Sequence, residues 1–87
     1  MFGVLAMITP AQCRAARALL DWSQQRLAEC AGVGIVTIRQ LEAGGIASRR
    51  ATYRVVRETL EKAGVEFIAE NGGGPGVRLR RISDQSS

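Results

Sequence analysis

The chain has 87 residues, enough for one domain with a single modest core, and its 23% charged and 46% hydrophobic residues exclude a disordered polymer. Eleven of the twelve cations are arginine and the net charge is +4, a balance that suits a nucleic-acid partner because the planar guanidinium fork matches phosphates and guanine edges. There is no histidine, so Cys13 and Cys30 cannot complete a tetrahedral zinc site, no base stands ready for a nucleophile, and neither a metal, a cofactor nor an enzyme activity is expected.

In chain order, "MFGVLAMI" is apolar but only eight residues long and lacks a basic start. It is too short to act as a signal peptide or to cross a bilayer, so no membrane is expected. Residues 1–8 read as an N-terminal extension, with Met7 as an alternative start. Residues 1–6 read equally as an optional extension or an added strand.

The first helix starts at Thr9, with Pro10 at its first position and Gln12 completing a capping box. Cys13, Ala16, Leu19 and Leu20 form its apolar stripe, and Arg14 and Arg17 border it. Ser23 caps the second helix, and Trp22 and Leu27 occupy the two positions of a hydrophobic staple. That helix runs to about Ala31, with Leu27, Ala28, Cys30 and Ala31 available for burial, so both cysteines read as reduced core residues. Gly32 supplies the left-handed turn that ends it.

Gly34 then caps a short third helix, "IVTIRQLEA", closed by Gly44 and Gly45. Its β-branched run is a poor helix former alone and needs tertiary packing through Ile38 and Leu41. Ser48 caps a fourth helix whose stripe is Thr52, Val56, Leu60 and Ala63, with Gly64 as its stop. Beyond it the period changes to two, in "VEFIAE" and "VRLRRI" around the turn-rich "NGGGPG", which is a β-hairpin signal. Val65, Phe67 and Ala69 share one face with Val77 and Leu79, and Glu66 and Glu70 oppose Arg78 and Arg80 on the other. The glycine-rich loop has no Lys-Ser/Thr or helix start after it, which argues against phosphate binding.

Two helices joined by a tight turn need a small residue at their contact, a glycine in the turn and apolar residues on the second helix. Ala28, Gly32, Ile38 and Leu41 meet these needs at once, after Gln24. With Ser23-Gln24, Leu27-Ala28, Gly32-Val33, Thr37-Ile38 and Glu42-x-Gly44, residues 9–63 resemble the lambda-repressor-like family of helix-turn-helix regulators, also called Xre or Cro/cI. The hairpin resembles that of short bacterial members.

The resemblance implies a mainly α fold: a four-helix lambda-repressor-like DNA-binding domain with a helix-turn-helix over 9–64, a C-terminal β-hairpin over 65–82 and a frayed tail over 83–87. It implies double-stranded DNA as partner, a homodimer on a two-fold operator, transcription regulation and a nucleoid-associated location in the cytoplasm. Gln24 matches a glutamine that contacts phosphate and supports the recognition helix. Ile35, Val36, Thr37, Arg39 and Gln40 match groove-facing positions, and Arg17 and Glu42 match a structural ion pair. Arg49 and Arg50 follow the recognition helix where relatives touch phosphate. Gly34 departs from the usual Ser or Thr cap, though it permits close approach to a phosphate. Ile35 and Val36 stand where polar residues are common; they offer contact to thymine methyl groups or extra core, leaving Arg39 and Gln40 to read base edges. The rival reading is a protein-binding adaptor or antiactivator that grips its partner through Ile35 and Val36.

Overall fold

Helix α1 spans Pro10–Leu20, α2 Gln24–Ala31, α3 Ile35–Glu42 and α4 Arg50–Lys62, followed by strands β1 Val65–Ile68 and β2 Gly76–Leu79. The computed structural model describes residues 7–44, 50–70 and 72–80. Among the described residues the architecture is mainly helical with one two-stranded antiparallel sheet, as the change of period at Val65 predicts. Residues 1–6, Gly45, the Ser48 cap, Arg49 and everything from residue 81 lie outside the described residues.

The starts of α1 and α2 follow from their local chemistry. The Thr9 hydroxyl accepts from the Gln12 amide while the Gln12 side chain accepts from the Thr9 amide, so the capping box is complete. Ile8 and Cys13 stand one residue before the cap and four after it, the positions of a hydrophobic staple, and both are buried. Ile8 therefore belongs to the core rather than to an extension ending at residue 8. Ser23 caps α2 through the Arg26 amide. At Gly32, φ is +73°, the left-handed region where a side chain is strained, and its amide closes the end of α2 onto Ala28. Asp21 ends α1 with φ +59°; aspartate tolerates that conformation better than most residues.

The core takes Cys13 and Ala16 from α1, Leu27 and Ala28 from α2, Ile38 and Leu41 from α3, Tyr53, Val56 and Leu60 from α4, and Val65 from β1. Three expectations are corrected here. Leu19 is 40% exposed: it lies on the same flank of α1 as Gln12, and the hairpin covers that flank only at the Gln12 end. Cys30 is exposed, because it lies about 100° round α2 from the centre of the Leu27, Ala28 and Ala31 stripe. On α4 the stripe centres on Tyr53, Val56 and Leu60, while Thr52 and Ala63 are only half-buried at its margins.

The hairpin pairs Val65 with Leu79, Glu66 with Arg78, Phe67 with Val77 and Ile68 with Gly76. Phe67 and Val77 pack against the helical core, and Arg57 of α4 lies over the Phe67 ring at 5.5 Å. Glu66 and Arg78 form the expected pair across the strands at 2.6 Å. Glu70 and Arg80 do not oppose one another: the ladder ends before Glu70, and Arg80 donates to the Gly64 and Glu61 carbonyls instead. Gln12 ties the sheet to α1. Its amide nitrogen donates to Gly76 O at 2.9 Å and Ile68 O at 3.4 Å.

Candidate functional site

Helix α3 divides cleanly by depth. Ile38, Leu41 and Glu42 are buried, whereas Val36, Arg39 and Gln40 are exposed. At 3.6 residues per turn these last three share the side opposite Ile38. Ile35 and Val36 part company: Ile35 is half-buried and packs against the core, while Val36 is 56% exposed. Thr37 is half-buried at the margin. Gly34 precedes the helix in extended conformation with no side-chain cap, so the first turn of α3 keeps its amides clear of any capping oxygen.

The buried end of α3 is held by one carboxylate. Arg17 Nε donates to Glu42 Oε2 at 2.7 Å and Arg17 Nη2 to Oε1 at 2.8 Å, a two-pronged pair whose side chains are 19% and 3% exposed. Gln24 Nε2 donates to Oε1 at 3.0 Å, and Cys13 Sγ donates to Oε2 at 3.3 Å. Arg14 adds a bond to the Glu42 backbone carbonyl, and Arg17 Nη1 donates to Trp22 O at 3.0 Å, reaching the α1–α2 junction. Helices α1 and α2 thus both grip α3 through Glu42.

Burial alone pushes the Glu42 carboxyl pKa up, but hydrogen bonds from Arg17, Gln24 and Cys13, with the Arg17 charge, outweigh it and hold the group below the usual carboxylate range. Cys13 moves the other way: burial, and then the neighbouring Glu42 charge, push its thiol far up, so it stays protonated. A buried, neutral Cys13 has no nucleophilic character. Among the described residues no group of three or more His, Cys, Asp or Glu is placed to hold a metal ion, and no helix is long and apolar enough to cross a membrane.

A comparison with known protein families and with curated proteins finds no match to this chain.

The structure brings Arg17, Glu42 and Gln24 into one network and sets Val36, Arg39 and Gln40 on one exposed side. Arg50 is exposed as the first residue of α4; Arg49 lies outside the described residues. Arg39 and Arg50 enter no ion pair among the described residues, whereas Arg17, Arg57 and Arg78 do. Sequence reasoning missed two parts of this arrangement. Cys13 read only as an apolar stripe residue, though its four-residue spacing from Arg17 placed both on one side of α1. Gln12 read only as a cap, and nothing local signals that its amide also reaches the hairpin.

Proposed function

We propose that this chain is a sequence-specific DNA-binding transcriptional regulator of the lambda-repressor-like helix-turn-helix type. In this reading α2 and α3 are the two helices of the motif, and α3 enters the major groove of a two-fold operator as part of a homodimer. The observation that carries it is the division of α3. Its inner side is locked to α1 and α2 through Glu42, and its outer side offers Arg39, Gln40 and Val36 without ion-pair partners among the described residues. A helix anchored on its inner side, with an arginine in no ion pair among the described residues, a glutamine and an aliphatic residue outward, has the donors for guanine and adenine edges and the apolar contact for a thymine methyl. Gly34 and Arg50 serve the phosphates on either side, with Arg49 beside Arg50 in sequence. Gln24 supports α3 through Glu42, leaving only its carbonyl oxygen and second amide hydrogen for further contact.

Gel-shift titration against genomic fragments, including the protein's own promoter, tests this proposal. A fragment-selective complex that survives competitor DNA is expected; equal, weak and salt-sensitive binding to every fragment overturns it. One observation favours a second reading, as a protein-binding adaptor: Val36 puts an aliphatic side chain at the middle of the outer side, 56% exposed. Val36→Lys distinguishes the two, since an added cation leaves non-specific DNA affinity intact or raised but abolishes an apolar protein contact.

A further inference from the structure

We infer that Cys13 is a positioning residue for α3: its buried thiol donates to Glu42 and so keeps that carboxylate ionised and bound to α1 and α2. The inference deepens the DNA-reading proposal and rests on it only for what α3 does once held. A carboxylate offers about four lone-pair sites. Here Arg17 fills one on each oxygen, Gln24 a second on Oε1 and Cys13 the second on Oε2, at 3.3 Å. All four donors are therefore needed to saturate a group that has almost no access to water.

An apolar side chain at position 13 fills the same core but leaves one lone pair of a buried anion facing hydrocarbon. That loss falls on the charged form alone, so it raises the pH at which Glu42 takes up a proton. A protonated Glu42 then needs an acceptor for its new hydrogen, and the groups around it are donors. The titratable and charged groups that face it among the described residues are Cys13, Arg14 and Arg17 from α1, with the neutral Gln24 from α2. Burial pushes the Cys13 thiol up and the Glu42 hydrogen bond holds Arg17 protonated, so Glu42 is the group that switches as pH falls. Protonation removes the charge that Arg17 holds and turns one oxygen into a donor, so the side-chain tie from α3 to both preceding helices weakens, while the Arg14 bond to the Glu42 backbone carbonyl and the apolar contacts of Ile38 and Leu41 remain.

The test compares Cys13→Ala with Cys13→Ser in the full chain. Both variants lose the sulfur, and only serine keeps a donor, so their difference isolates the hydrogen bond from packing. Carbon-13 titration of the Glu42 carboxyl and acid unfolding followed by circular dichroism are the readouts. In Cys13→Ala both midpoints are expected to move to higher pH, and in Cys13→Ser both to return toward wild type. Should Cys13→Ala fail to fold, the wild-type Raman spectrum decides. One S–H band should sit at the lowered frequency of a thiol bonded to a carboxylate, losing that shift as Glu42 protonates, and exposed Cys30 should supply the unshifted reference. Coincident titrations of the two variants, or two unshifted S–H bands, overturn the inference. None of these measurements needs DNA, so a failure to bind any operator overturns the functional proposal and leaves this one standing.

Discussion

Glu42 and Arg17 differ in how much water reaches them, and that difference decides which substitution costs more. With the Glu42 side chain 3% exposed and Arg17 19% exposed, Glu42→Ala strands a cation that keeps some hydration. The expected loss is about 3 kcal/mol, the low end of the 3–5 kcal/mol for breaking a buried pair, read from the denaturant midpoint. A midpoint equal to wild type would show that the pair contributes nothing. The same carboxylate sets an acid limit. Because its folded-state pKa lies below the ordinary glutamate value of 4.5, its contribution is fully present above that value and fades as pH falls through the lower one. Wild-type stability should therefore decline below about pH 4.5, and the Glu42→Ala variant should decline less steeply over that window. Parallel curves would contradict this. On the outer side, Arg39→Ala and Gln40→Ala remove side chains with no core contact. Each should leave the melting temperature unchanged and lower discrimination between operator and mismatched DNA by about 1–3 kcal/mol. Unchanged operator preference in both would remove them as readers.

Elements whose signals are local were legible in the sequence: the Thr9 capping box, the Ser23 cap, the Gly32 stop and the change to period two at Val65 all reappear as written. What escaped depends on long-range packing. Leu19 and Gln12 share a flank of α1, yet the polar Gln12 is buried and the apolar Leu19 is not, because the hairpin reaches only one end. Hydropathy cannot rank two residues whose burial is settled by an element some fifty residues away. The Arg17–Glu42 pair was legible through resemblance to a family, whereas Cys13 as a further donor to Glu42 was not, since a thiol on a stripe reads as a hydrophobe. Gln12 joins α1 to the open end of the hairpin through two carbonyls, so Gln12→Ala should loosen the hairpin beyond its loss of a cap. A global cost of about 1–3 kcal/mol is expected, with hydrogen-exchange protection falling first at the amides of Ile68 and Gly76. Protection lost evenly across all four helices instead would mean that the hairpin is not a separate unit.

For the whole molecule, the proposed binding to a two-fold operator requires a surface through which two copies meet. The helices cover Phe67 and Val77, and Val65 is fully buried, so the hairpin belongs to its own protomer's core. Removing it would uncover that core, and such a truncation could not separate folding from assembly. One part stays uncovered: Leu79 is 49% exposed on the hairpin's apolar face. The Arg80 amide bonds to Gly64 O, and hydrogen-bonded pairs alternate along an antiparallel ladder, so Val77 and Leu79 turn their backbone groups away from β1. Among the described residues no strand pairs with this outward row of backbone donors and acceptors, and beside an exposed leucine it is an edge that a second copy can extend. We propose this as the dimer contact that sets the two α3 helices about 34 Å apart, one turn of DNA. Leu79→Glu is then expected to convert a sedimenting dimer to a monomer at equal concentration, with unchanged helix content and weakened operator binding. Dimers that persist in the variant would move the interface elsewhere, with α4 the next surface to test, where Val55 is also exposed.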